Sequence, residues 1–159
     1  MGDSIDTVIG QWRAHRPDLD PSPMAVVGRV QRLSALWDAA LRGPFAAAGL
    51  APGEFDLLAA LRRADRPLSP TELATSMLVT GGAVTKRVDR LASAGLVTRS
   101  VSAVDGRARR VTLTARGRKL VDRLIGEHLA NEERLLASLD TQDRRLLAGL
   151  LGTLLHAAE

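Results

Sequence analysis

Apolar residues recur at intervals of three and four along most of the chain, the spacing that gathers them on one face of a helix. Ile5, Val8, Ile9 and Trp12 carry this spacing through residues 3–15 and predict a short first helix. Pro17, Pro21 and Pro23 then interrupt it, as prolines do. A long helix is predicted from about Met24 to Ala48, with Val26, Val27, Val30, Leu33, Trp37, Ala40 and Leu41 as its stripe and Gly49 just past its end. Pro52 is read as the first-turn proline of the next helix, whose apolar side is Phe55, Leu58 and Leu61. Ser69-Pro70-Thr71-Glu72 spells a capping box and predicts a short helix ending near Met77. Thr80 is placed as the cap of another helix, running to Ala94 and stopping at Gly95.

Beyond Gly95 the period shortens. Leu96 to Ser102 and Arg110 to Thr114 alternate as strands do, with a hairpin turn expected around Asp105-Gly106. Thr114 is predicted to cap a helix of about twenty residues. Asp140 is predicted to cap a last helix that carries Leu146, Leu147, Leu150, Leu151, Leu154 and Leu155. The expected fold class is therefore mainly α with a small two- or three-stranded β-wing. No internal repeat or low-complexity segment is visible.

Charge sharpens this outline. The chain has 159 residues and a net charge of +4, but the charge is uneven. Between Thr80 and Lys119 stand ten basic residues and two acids, Asp89 and Asp105, whereas the rest of the chain is net acidic. A basic block in an acidic chain suits a polyanion. The aromatic content is only 3%, which argues against stacking on successive bases of a single strand. With no cysteine and three dispersed histidines (His15, His128, His156), neither thiolate chemistry nor a metal site is expected. No glycine-rich phosphate loop or nucleophile elbow points to an enzyme. No signal peptide or spanning segment is expected, so the protein is read as cytoplasmic, with no membrane partner and no cofactor.

The order of elements is that of a helix-turn-helix followed by an arginine-rich wing. Such a motif lays its second helix in the major groove of double-stranded DNA, with the helix N-terminus on base edges. Gly81 and Gly82 in the first turn of that helix cost roughly 1 kcal/mol each against alanine, a cost that close approach to DNA would explain. The expected DNA contacts are Ser69, Thr71, Thr80, Gly82, Thr85, Lys86, Arg90, Asp105, Arg107 and Arg109. Arg107 and Arg109 suit a narrow minor groove, where the potential is most negative.

The run from Gly81 to Leu91 (GGAVTKRVDRL), with Ala94-Gly95-Leu96-Val97 and Arg99 after it, resembles the recognition helix and first wing strand of MarR-type regulators. Asp105, Arg107, Leu113 and Thr114 match that family's D-x-R-x5-L-T wing pattern, and Leu113-Thr114-Ala115-Arg116-Gly117 is similar too. Gly106 precedes Arg107, whereas many members place the wing glycine after it. The resemblance spans about residues 24–157. It implies a homodimer with interlocking terminal helices, bound to a pseudo-palindromic operator, with Asp105 orienting Arg107 toward the minor groove. Domain bounds follow: an extra N-terminal helix and linker (1–20), a dimerisation helix (21–50), the winged helix-turn-helix lobe (51–114) and C-terminal dimerisation helices (115–159).

A narrower resemblance adds a ligand. The helix bearing Trp12, the Glu54–Arg63 segment and the Gly-Gly recognition helix look like the urate-responsive, PecS-like branch of the family. There a Trp, an Asp and two Arg form an effector pocket, and the matching positions are Trp12, Asp56, Arg87 and Arg99. What the resemblance implies is a transcriptional regulator, in the first instance a repressor, released by a small anionic effector with urate or a related purine as first candidate. The other reading is an architectural winged-helix DNA-binding protein with no effector.

Overall fold

The structure, a computed structural model, describes residues 2–77, 80–101 and 109–159. Its chain divides into two compact units, residues 1–41 and 42–159.

In the first unit, helix α1 (Ser4–His15) begins on a reciprocal cap. Asp3 Oδ1 accepts from the Ile5 and Asp6 backbone N–H groups at 2.8 and 3.0 Å, and Asp6 Oδ2 accepts from the Asp3 N–H at 3.0 Å. Helix α2 (Met24–Ala47) starts here, and its Arg29 donates to Asp3 Oδ2 at 2.7 Å and to Asp6 Oδ1 at 2.6 Å. The Arg29 guanidinium, with the capping N–H groups, holds the Asp3 carboxyl below the usual carboxylate range. Ile9 is buried, while Val26, Val27, Val30 and Leu33 are exposed.

The second unit holds the main core. Helix α2 ends in it, where Leu50 N–H bonds the Phe45 carbonyl at 3.0 Å and Gly49 takes a φ of 75°. This is the glycine-terminated end expected at Gly49. Helix α3 (Glu54–Ala64) starts later than expected. Gly53, at φ 77°, is its N-cap, so Pro52 lies outside the helix rather than in its first turn. The positive φ at Gly53 delays the start, and Glu54 Oε2 accepts from the Ala51 N–H at 2.7 Å across that turn. Seven of the eleven residues of α3 are buried, which makes it the central helix.

Helix α4 (Pro70–Met77) carries the expected box: Glu72 N–H donates to Ser69 Oγ at 3.2 Å and Ser69 N–H to Glu72 Oε2 at 2.7 Å. Helix α5 (Gly81–Ser93) follows Thr80, which has the extended backbone of a cap, but no side-chain cap bond forms. The expected Thr80 hydroxyl cap is therefore absent, and the hydroxyl is left to solvent. The far end of α5 closes as predicted, with Gly95 at φ 68° and the Leu96 N–H on the Leu91 carbonyl at 2.9 Å.

Strands β1 (Val97–Val101) and β2 (Arg109–Leu113) pair antiparallel, with Val97 opposite Leu113 and Val101 opposite Arg109. Both lie within a residue or so of the expected strands. The third strand reduces to one bridge, Leu68 with Val111. The hairpin turn around Asp105-Gly106 falls outside the described residues.

Helix α6 (Ala115–Leu135) is capped by Thr114, whose Oγ1 accepts from the Gly117 N–H at 2.9 Å. Helix α7 (Thr141–His156) is capped by Asp140, accepting from the Asp143 N–H at 2.8 Å. The core gathers Leu57, Leu58, Leu73, Val84, Leu91, Val111, Val121 and Leu124 from α3 to α6. Its largest part therefore lies directly beneath α5 and the wing. Among the described residues, no helix is long and apolar enough to cross a membrane.

Candidate nucleic-acid interface

Helix α5 is amphipathic, and its division of labour is sharp. Val84, Val88 and Leu91 are buried, fixing the helix to the core, while Gly81, Gly82, Thr85, Lys86, Asp89 and Arg90 are exposed. A Cβ added at Gly81 or Gly82 would meet nothing within 4 Å in the chain. No packing demands glycine at either position. Thr85 Oγ1 donates back to the Gly81 carbonyl at 3.2 Å. That bond spans the first turn, where two glycines leave the backbone least restrained.

Helix α4 is tied to the wing through Glu72. Besides the Ser69 cap, its carboxylate accepts from Arg66 at 2.8 Å and from Arg110 of β2 at 2.7 Å. One acid thus joins the start of α4 to the wing. The Ser69 N–H and hydroxyl, and then the Arg66 guanidinium, bring the Glu72 pKa down to about 2. Ser69 is half-buried with its hydroxyl spent on the cap, whereas Thr71 and Thr80 are exposed.

A hollow of about 210 Å³ between α5 and the wing is lined by Pro70, Val84, Thr85, Val88, Asp89, Arg99, Arg109 and Val111. Two expected DNA contacts, Thr85 and Arg109, therefore meet there. So does Arg99, one of the expected effector residues, which is ion-paired with Asp89. Asp105 and Arg107 lie outside the described residues. Arg90 points elsewhere: its Nε lies 2.9 Å from Oε1 of Glu54, a carboxylate only 3% exposed.

Of the expected effector residues, Asp56, Arg87 and Arg99 lie in the second unit and Trp12 in the first. Arg87 lays its guanidinium over Gly53, where an added Cβ would sit 2.3 Å from Cζ. Gly53 is required by its positive φ, whereas the Arg87 guanidinium could shift aside for a Cβ. Asp56 is exposed, and no ion pair joins it to Arg87 among the described residues. Trp12 belongs to the first unit, where it is 43% exposed and borders an apolar hollow with Leu19, Pro21, Pro23 and Met24.

Sequence reasoning missed Glu54, the Arg66–Glu72–Arg110 bridge and the Asp89–Arg99 pair. For Glu72 a signal existed, since a capping glutamate has a second oxygen that is free for a cation. Glu54 and Arg90 are separated by a whole helix-turn-helix, and no local pattern announces their contact.

Comparison with known proteins converges on one family. Residues 48–108 match the MarR family. The HTH-type transcriptional regulator PecS of Dickeya dadantii is 37% identical over 150 residues, covering 93% of this chain and 90% of that protein. A MarR-family regulator from Silicibacter pomeroyi superposes with a TM-score of 0.65 at 28% identity, covering 82% of this chain and 87% of that one. BpsR of Bordetella bronchiseptica, whose DNA binding is regulated by 6-hydroxynicotinic acid, superposes with a TM-score of 0.71 at 23% identity, covering 82% and 94%. At that identity the likeness shows the fold alone.

Proposed function

The chain belongs to the MarR family of winged-helix transcriptional regulators, and we propose that it is a homodimeric repressor whose grip on a pseudo-palindromic operator is released by a small planar anion. The observation that carries the DNA half is the exposed first half of α5, with Gly82, Thr85 and Lys86 free of the core and Arg109 of the wing beside them. Exposed glycines let backbone N–H groups approach phosphate, while Thr85 and Lys86 supply side-chain contacts. Ser69, Thr71 and Thr80 stand near the start of α4 and α5 for the flanking phosphates, and Asp105 and Arg107 complete the wing in this reading. Two such helices, one from each protomer, enter successive major grooves about 10 base pairs apart. The exposed leucines of α7 support the dimer.

The effector half rests on Trp12, Asp56, Arg87 and Arg99. Guanidinium groups hold planar oxyanions in paired hydrogen bonds, and an indole stacks on a ring. The ligand acts by binding the DNA-incompetent conformation more tightly, since equal affinity for both shifts nothing. Arg99 must leave Asp89 to take part, and this commitment favours the second reading, an architectural DNA-binding protein with no effector. Titration separates the two. An operator recovered by selection from random duplexes is bound, then challenged with urate, xanthine, salicylate and 6-hydroxynicotinic acid. Release by one of them, weakened in Trp12→Ala and Arg87→Ala, supports the effector site. Retention of the operator by the wild type in all four at millimolar concentration leaves the architectural reading.

A further inference from the structure

Helix α5 carries the cations Lys86, Arg87 and Arg90 and a single acid, Asp89. Arg87 lays its guanidinium over Gly53, and Arg90 Nε stands 2.9 Å from Glu54 Oε1, so both turn toward the start of α3. Lys86 and Asp89 stay on the exposed stripe that begins at Gly82 and runs through Thr85. Positions 82, 85, 86 and 89 are spaced by three and four and share one face of the helix. An acid on that face faces the same way as the residues expected to meet DNA. It also lies one turn from Lys86, within reach of an ion pair. Left to themselves, the two charges would cancel where a polyanion has to be held.

A residue outside the helix prevents this. Arg99 of β1 donates to Asp89 Oδ1 through Nη2 and forms its ion pair. The backbone of Arg99 is well anchored, because it stands opposite Val111, which is 1% exposed. Arg99 also lines the hollow between α5 and the wing with Val84, Val88 and Val111. Lys86 has no side-chain polar partner among the described residues. The side chains of Arg99 and Asp89 are 38% and 56% exposed, and a pair so open to water contributes little to stability. What the pair does fix is the direction of the acid.

We propose that Arg99 is a positioning residue for DNA binding, holding the Asp89 carboxylate aside so that Lys86 stays available to phosphate and no free acid meets the polyanion. Without Arg99, Asp89 takes Lys86 or turns to the DNA, and like charges brought together cost affinity. Arg99 acts through Asp89 and touches no phosphate itself. The proposal rests on the operator reading of α5 and needs no effector.

The test is a double-mutant cycle in operator binding, read by fluorescence anisotropy on the full-length protein with a duplex that the wild type selects from a random pool. Arg99→Ala should weaken binding about tenfold and lower the salt slope by about one as Lys86 is captured. Asp89→Asn alone should leave affinity within about threefold of the wild type. In the Asp89→Asn background, Arg99→Ala should change affinity by less than about threefold and return the salt slope to that of the wild type. Arg99→Gln, which keeps part of the stem against the hollow, takes the place of Arg99→Ala if that variant does not fold. A direct phosphate contact, a plain loss of net charge or a purely structural role of Arg99 each predicts the same weakening in both backgrounds, and that additive result would overturn the proposal. Unchanged affinity and slope in Arg99→Ala would do so too. A wild type that selects no duplex would overturn the operator reading itself, and the proposal with it.

Discussion

Helices α3 and α7 carry similar densities of leucine and alanine yet meet opposite fates. In α3, Phe55, Leu57, Leu58 and Leu61 are all at most 7% exposed. In α7, Leu146, Leu150, Leu154 and Leu155 are each more than half exposed, and no residue is buried. A chain this size can bury one core, and α3 to α6 with the wing use it. The apolar face of α7 is then surplus to the monomer, which is the surface signature of an interface. In the proposed dimer, folding and assembly fall to different leucines.

The comparison breaks first at its buried side. Leu58→Ala, at a fully buried position, is expected to destabilise the fold by about 2–5 kcal/mol in urea denaturation. Gly117→Ala should cost about 1–3 kcal/mol or more by overpacking, because its Cβ would fall 2.0 Å from the Leu96 carbonyl oxygen. The exposed side should behave differently. Leu150→Asp/Leu154→Asp is expected to preserve helical circular dichroism while shifting sedimentation from dimer to monomer and abolishing operator binding. Unfolding of that variant would assign α7 to the core after all.

Acid sharpens the contrast between the wing and the core. Glu72 has its folded pKa depressed to about 2. Its contribution is therefore complete above the ordinary carboxylate range and is lost as pH falls through about 2. Glu72→Gln should flatten the acid limb of a stability–pH profile and loosen the wing without altering the sedimentation of the protein. An unchanged profile would remove Glu72 from that role. The smallest effect is expected at Lys86→Ala, which should weaken binding to all duplexes alike and reduce the salt slope by about one.

Much of this arrangement was legible locally. The Ser69–Glu72 box, the Thr114 and Asp140 caps and the Gly49 and Gly95 terminations each depend on residues within five positions of one another. Pro52 misled because the next residue, Gly53, takes a left-handed conformation that no proline rule foresees. Thr80 misled because a capping residue type does not by itself direct its hydroxyl inward. For the site, exposure along α5 followed from amphipathic spacing. What stayed hidden was tertiary: Arg90 turning to Glu54, Arg99 to Asp89, and Arg110 to Glu72. Each of these is a choice among several cations and acids in reach, decided by backbone placement rather than by sequence distance.

The junction between α5 and α6 has a mechanical consequence. Carbonyls of Ala94, Gly95 and Leu96 are held in succession by Arg116 at 3.2 Å and by Thr114 Oγ1 at 2.9 and 3.2 Å, with the Thr114 N–H on Leu96 again at 3.0 Å. Gly117 presses against the same Leu96 oxygen and leaves no slack. This end of α5 is a fixed anchor for the 13-residue helix. At 1.5 Å per residue the Gly81 end lies about 20 Å away, and buried Val84, Val88 and Leu91 hold the span between to the core. A helix anchored in this way presents its exposed side as a rigid unit, so that any tilt of α5 must be shared with the core beneath it.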